Sequence, residues 1–243
     1  PREKSAMTTV NILGISGSPR KANTDFLLDV ALEAAEAVPG VTVDRIYLRK
    51  EKISECIGCF RCFDEYKNDY ACQVHRDVMD DIYFKLRSCD GLIMATPVYF
   101  GTVSTQLKIL MDRTEALMRY VKSQWRSALK NKVGGAIAVG GNRHGGLETA
   151  IQAIHHFYLV HDMIVVGTSS DDRPGCYLGA AGTTHPQRGR MIRAVREDEL
   201  GIRASKSVGK RVAEVALWMK AAREAQELTG VPIPGTVPLA VPA

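Results

Sequence analysis

The chain has 243 residues, 45% hydrophobic and 24% charged, a globular balance that excludes wholesale disorder and can fill one substantial core. Its net charge of +5 is spread out, with only mild clusters at Arg188–Arg196 and Lys206–Arg211 that read as solvated helix faces, not the dense basic stripe of a nucleic-acid binder. No apolar run approaches the length of a membrane span, and the polar start Pro-Arg-Glu-Lys-Ser-Ala-Met lacks a secretory apolar region, so a cytoplasmic protein with no nucleic-acid or membrane partner is expected.

The first β-rich run, Val10–Ile15, predicts a strand; Leu27, Val30, Ala31, Ala34 and Val38 then fall on one helical face. Val41–Tyr47 predicts a second strand. After a polar segment bearing cysteines, Val78, Ile82 and Leu86 repeat every four residues, with Asp77 placed to cap the helix they imply. Gly91–Thr96 is a nearly continuous apolar run, as suits a strand buried on both faces. Leu107, Leu110, Met111, Leu117 and Met118 mark a third helix after it. A fourth strand is expected at Val133–Val139, a fourth helix from Leu147 to His161, and a fifth strand at Met163–Val166. The last helix should run from about Ile202 to Leu228, with Val208, Val212, Val215, Ala216 and Met219 on one stripe. Thr168–Arg190, rich in Gly, Asp and Thr, is expected as a long functional or interface loop. The proline-punctuated tail, 229–243, fits neither helix nor central strand.

Five strands alternating with five helices imply right-handed βαβ crossovers and an α/β fold. The pattern is a flavodoxin-like, doubly wound, five-stranded parallel sheet of order 2-1-3-4-5, with a cysteine-rich insertion after strand 2. The expected domain covers 8–228, with the insertion at 53–76 and the tail beyond it.

In such a sheet ligands collect at the carboxyl ends of strands beside the topological switch point. There stands Gly14-Ile-Ser-Gly-Ser-Pro-Arg-Lys-Ala-Asn-Thr-Asp, running into the first helix. Ser16, Ser18 and Thr24 offer hydroxyls, Arg20 a charge, Asn23 an amide, and the helix start its backbone N–H groups, a set suited to a phosphate monoester. The loop is neither a Walker A sequence nor Gly-x-Gly-x-x-Gly. A merely capped βα turn would use similar residues.

Four of the six cysteines, Cys56, Cys59, Cys62 and Cys72, fall close together, the first three as Cys-x2-Cys-x2-Cys. This matches the opening of the bacterial iron–sulfur ligand run. It departs from that run in the nine-residue gap before Cys72 and in Gln73, which stands where proline would be. Structural zinc favours two separated pairs, disulfides need an oxidising compartment, and free loop thiols remain a third alternative. His75 is either a substitute ligand or a surface histidine. His155, His156 and His161 do not build a metal spacing, Cys89 reads as a small buried residue, and Cys176 is the better candidate for a reactive thiol.

Ser-Gly-Ser-Pro-Arg-x-x-Asn-Thr resembles the phosphate loop of the NADPH-dependent FMN reductase family. Asp90-Gly-Leu-Ile-Met-Ala-Thr-Pro-Val-Tyr-Phe-Gly-Thr-Val-Ser, continuing to Lys108 and Asp112-Arg113, resembles that family's second flavin loop and helix. With the cysteine run, the chain is most similar to the iron–sulfur flavoprotein branch, from about Val10 to Ala216. The resemblance implies FMN with its phosphate at Ser16, Ser18, Arg20, Asn23 and Thr24. It implies that Pro97, Val98, Tyr99, Phe100 and Gly101 lie against the isoalloxazine ring, and that Gly140, Gly141, Asn142, Gly145 and Gly146 lie at its pyrimidine edge. Arg143 or His144 would either meet the phosphates of NAD(P)H as electron donor or lie on an exposed turn, and the cysteine quartet would hold a 4Fe–4S cluster. The implied activity is an oxidoreductase or electron-transfer flavoprotein serving ferredoxin or a small-molecule acceptor, assembled as a homodimer or homotetramer. A plain FMN or quinone reductase without a cluster, and a non-enzymatic electron carrier, are the alternatives. No side chain is assigned as an essential acid or base.

Overall fold

The computed structural model describes residues 8–63, 70–121, 124–142, 144–172, 175–184 and 194–229. In chain order they form β1 (Val10–Ser16), α1 (Asn23–Glu36), β2 (Val41–Tyr47), α2 (Met79–Ser88), β3 (Gly91–Pro97) and α3 (Thr105–Arg113). There follow β4 (Met118–Val121), β5 (Gln124–Ser127), β6 (Val133–Gly140), α4 (Leu147–Val160), β7 (Ile164–Val165), β8 (Ala180–Thr183) and α5 (Glu199–Thr229). Of the expected tail, 229–243, Thr229 ends α5 and the rest lies outside the described residues.

The main sheet is parallel in the order β2-β1-β3-β6-β7, with β8 also paired to β6. The expected order 2-1-3-4-5 therefore holds, with one refinement at its fifth position. β7 lies beside the start of β6 (Val133↔Ile164), and β8 lies beside its end (Gly140↔Thr183). Between them the chain loops out and returns, tied by Thr168 N–H to Tyr177 O at 3.3 Å. Ala-Ala-Gly-Thr carries little strand preference of its own, so register against β6 makes it a strand.

β3 and β6 are buried along their whole length, which explains their unbroken apolar sequence. Alternate residues feed two cores. Ile12, Ile93 and Ile137 meet Leu27, Leu28 and Ala31 of α1 and Val208 and Val212 of α5. Leu13, Leu92 and Met94 meet Ile82 of α2, Leu107 and Leu110 of α3, and Ile151 and Ile154 of α4 on the other face. Each such large side chain contributes about 1.5–3 kcal/mol by leaving water. α1 and α5 touch backbone to backbone at Gly209, where a Cβ would sit 1.8 Å from Ala31 O.

Two expectations on the third helix are corrected. α3 stops at Arg113, and Leu117 and Met118 belong to a 3-10 turn (Thr114–Leu117) and to the antiparallel β4–β5 hairpin. The stop is local: the Thr114 hydroxyl donates to Met111 O at 2.6 Å and meets His161 Nε2 at 3.0 Å, turning the chain away from the helix axis. Between β2 and α2 lies the cysteine-bearing segment, whose described part contains only two short 3-10 turns, Leu48–Lys50 and Arg61–Phe63. Among the described residues no helix is long and apolar enough to cross a membrane.

Candidate functional site

β1 and β3 are neighbours, yet the chain leaves β1 for β2 on one side and reaches β3 on the other, so their carboxyl ends flank the switch point. The loop after β1 is drawn onto β3 and α3. Gly17 N–H donates to Ala95 O at 2.8 Å, and the Ser104 hydroxyl donates to Gly17 O at 2.6 Å while capping α3 by accepting from Leu107 N–H.

The loop's own hydroxyls are partly committed to holding its shape. Ser16 is fully buried and donates to Asp25 at 2.6 Å while accepting from Ser18 N–H at 3.3 Å. Ser18 donates to Arg20 O and accepts from Arg20 N–H. Asn23 accepts from Val195 N–H at 3.4 Å, and Thr24 is buried in the first turn of α1. Arg20 is exposed beside them.

The start of α1 is where ligand capacity lies. Its N-cap is Ala22, with no side-chain cap, so the first-turn N–H groups of Thr24 and Asp25 have neither a capping oxygen nor an intrahelical acceptor. An anion there would satisfy them and meet the positive end of the helix. Asp25, buried in the same turn, is paired with Arg49. Burial raises its carboxyl above the usual carboxylate range, opposed by the Ser16 hydrogen bond and the Arg49 charge. Asp25 and Arg49 thus brace the turn from behind, a pairing that the sequence reading missed.

After β3, Pro97 is buried and Val98 N–H bonds Val139 O at 2.8 Å, tying this loop to β6. Tyr99 and Thr102 exchange both backbone hydrogen bonds across a tight turn. Its central residues, Phe100 and Gly101, have φ of 49° and 80°. Phe100 is fully exposed and Tyr99 is 38% exposed, so neither aromatic packs into the core. They present apolar surface at the edge of the sheet.

After β6 come Gly140, Gly141, Asn142, His144, Gly145 and Gly146; Arg143 lies outside the described residues. Gly145 N–H bonds Asn142 O at 3.2 Å, and Gly146 is the N-cap of α4 with φ 98° and no side-chain cap. A Cβ at Gly146 would stand 2.5 Å from Gly101 Cα, so the second and third loops touch, and glycine permits both the contact and the positive φ. The structure therefore brings the three predicted loops to one end of the sheet.

The four predicted cysteines line one small cavity, together with Phe60, His75, Arg113 and Glu115 among others. Cys56 and Cys59 are exposed, Cys62 and Cys72 half-buried, and none is in a disulfide. Cys62 is pushed up to about 11, chiefly by burial and further by the charges of Glu115, Cys72 and Cys56, while its own backbone hydrogen bond opposes the rise. A bound metal would displace that proton. Cys72 Sγ accepts from His75 N–H at 3.4 Å.

Among the described residues no three His, Cys, Asp or Glu side chains gather closely enough to hold one metal ion. A single zinc draws its sulfurs to about 2.3 Å from one centre. A cubane cluster places an iron under each thiolate and keeps the sulfurs further apart. The donor set also suits a cluster for a second reason: Arg113 Nε and His75 Nε2, on residues of the cavity wall, are buried without a hydrogen-bond partner among the described residues.

Arg113 organises this wall. Its guanidinium forks onto the Asp77 carboxylate at 2.7 and 3.2 Å and donates to Ser54 O at 2.8 Å. Asp77 also accepts from Ser54 and Met79 N–H. Burial alone would raise Asp77, but the Arg113 and backbone donors hold it at about 2. The N-cap of α2 is Val78, without a side-chain cap, and not Asp77 as expected; Asp77, one residue earlier, still accepts from Met79 N–H and also anchors the cysteine segment. In the sequence Arg113 stood out only as part of the stretch resembling the family's second flavin loop and helix, with no role of its own.

A larger cleft of about 700 Å³ adjoins the cysteines. It runs from Thr102 and Val103, past Lys108 and Met111, to Cys56, Gly58 and Phe60. This puts the cysteine segment in continuity with the loop after β3. Cys89 is buried, with its thiol pushed up to about 12 by burial, as expected for a packing residue. Cys176 is half-buried in the loop before β8.

Three loops meeting at the switch point of a doubly wound parallel sheet define a flavodoxin-type binding protein, here with a cysteine-lined cavity beside it. The chain belongs to the NADPH-dependent FMN reductase family, whose sequence pattern matches residues 10–170. It is 42% identical over 212 residues to an iron-sulfur flavoprotein of Methanocaldococcus jannaschii, covering 87% of this chain and 100% of that one. It is 44% identical over 162 residues to an iron-sulfur flavoprotein of Methanosarcina thermophila, covering 66% of this chain and 79% of the relative. A solved WrbA-like flavodoxin from Agrobacterium tumefaciens shares the fold, with a TM-score of 0.55 at 17% identity over 87% of this chain and 100% of that one.

Proposed function

We propose that this protein is an FMN-dependent oxidoreductase that also carries a 4Fe–4S cluster and passes electrons between the flavin and an acceptor. The observation that carries the reading is the joint presence of an α1 N-terminus without a side-chain cap at the switch point and four cysteines, none in a disulfide, around one cavity. Family membership and the names of its relatives support it.

In this reading the backbone N–H groups at the start of α1 bind the FMN phosphate, with Ser18 and Arg20 closing the loop over it. Ser16, Asn23 and Thr24 hold the turn in shape, Ser16 through Asp25. Pro97, Val98, Tyr99, Phe100 and Gly101 border the ring on one side. Gly140, Gly141, Asn142, Gly145 and Gly146 approach its polar edge with backbone donors, which favour negative charge on a reduced ring. Cys56, Cys59, Cys62 and Cys72 ligate the cluster. Bound together, a flavin and a cluster connect two-electron donors to one-electron acceptors; the chain supplies orientation, exclusion of water and hydrogen bonds. NAD(P)H serves as donor, and ferredoxin or a small molecule as acceptor, in a homodimer or homotetramer built on a domain spanning 8–228.

Replacing Cys59 with Ala tests the division of labour. The variant should lose its iron and acid-labile sulfide while retaining FMN. Loss of both cofactors would show that the cysteine segment shapes the flavin site, and retention of full iron would remove Cys59 from the ligand set.

A further inference from the structure

Two buried side-chain nitrogens, Arg113 Nε and His75 Nε2, have no hydrogen-bond partner among the described residues. Arg113 has a side chain only 1% exposed, and its Nη atoms are committed to Asp77 and Ser54, leaving Nε without a partner among the described residues. His75 is held in place by its backbone N–H bond to Cys72 Sγ, and its ring Nε2 is likewise buried without a partner. Both residues belong to the wall of the cavity that all four cysteines line. A buried N–H with no acceptor is destabilising, and two such nitrogens on residues lining one cavity point to an acceptor that occupies it.

We propose that Arg113 and His75 are positioning residues that donate Nε–H and Nε2–H hydrogen bonds to sulfurs of the cluster and thereby raise its reduction potential. This rests on the assignment of the cysteines as cluster ligands. Reduction adds negative charge to the sulfurs, so a fixed donor stabilises the reduced state more than the oxidised one. Asp77 balances the guanidinium charge at 2.7 Å, so the local N–H dipole carries much of the effect. The fork onto Asp77 and Ser54 fixes the aim of Nε, so lysine would keep the charge but lose the geometry.

The test compares wild type with Arg113→Lys, His75→Phe and His75→Gln, prepared anaerobically with the cluster reconstituted. Iron and sulfide are counted per chain, and the cluster midpoint is followed by EPR-monitored redox titration. All four proteins should carry the same iron and sulfide. At the wild-type midpoint the reduced-to-oxidised ratio should fall about tenfold in Arg113→Lys and in His75→Phe, equal to about 59 mV for one electron. His75→Gln, which restores an N–H donor, should recover part of the loss, and the flavin midpoint should not move. Loaded variants with unmoved cluster midpoints would overturn the inference alone, as would an equal shift in His75→Phe and His75→Gln. Wild-type protein free of iron and sulfide would overturn the cluster assignment and this inference together. If Arg113→Lys fails to fold, the two His75 variants still decide.

Discussion

His161 shows how much a single buried side chain sets in this protein. It is 3% exposed, and the Thr114 hydroxyl it meets already donates to Met111 O, so Nε2 carries the proton and Nδ1 accepts from Ser127 Oγ at 2.8 Å. Burial lowers its pKa to about 4, so the folded protein keeps a neutral ring that ties α4 to the turn after α3 and to β5. The unfolded chain binds a proton near the ordinary value of 6.5. Its contribution is therefore complete above about pH 6.5 and is lost as pH falls toward 4. Asp77, held at about 2 against an ordinary 3.8, acts in a lower window, between about pH 4 and 2. Acid unfolding followed by circular dichroism should begin in the His161 window. His161→Gln, which keeps a donor and an acceptor without titrating there, should flatten the curve above pH 4. An unchanged curve would show that His161 is not the residue responsible.

At the scale of elements, α1 and α4 both begin without side-chain caps at the ligand end of the sheet, at Ala22 and Gly146. The loop that leads into α1 carries two cations, Arg20, which is exposed, and Lys21, which is half-buried. Replacing Ser18 and Arg20 together with Ala should weaken FMN binding about ten- to a hundredfold, since a charge-assisted hydrogen bond contributes about 1.5–3 kcal/mol. Flavin retention after gel filtration and a fluorescence titration would measure it, and full retention would contradict the phosphate assignment.

The elements that sequence periodicity located are those whose packing repeats locally. β3 and β6 are buried on both faces, and the stripe of α5 meets one core through Val208, Val212 and Ala216. β8 was not legible, because Ala180 and Ala181 become a strand only through their register with β6. The end of α3 was not legible for a similar reason: Thr114 is held by His161, 47 residues away in sequence. At the site, the glycine and hydroxyl composition of the loops was visible, as was the cysteine spacing. The partners that fix them were not. Arg113 and Asp77 are 36 residues apart, and Arg49 and Asp25 are 24 apart, so no local spacing joins them.

At the scale of the whole molecule, the sheet sorts functions by position. Three loops at the carboxyl ends of β1, β3 and β6 build one end, while the segment after β2 carries the cysteines along the face covered by α3. The cleft from Thr102 to Phe60 connects the two, which is the geometry that flavin and cluster in one chain would require. The most direct measurement is an anaerobic absorption spectrum of the purified protein, with flavin, iron and acid-labile sulfide quantified on the same sample. The account predicts one FMN, about four iron and about four sulfide per chain. Stoichiometric flavin with neither iron nor sulfide, after anaerobic reconstitution, would contradict it.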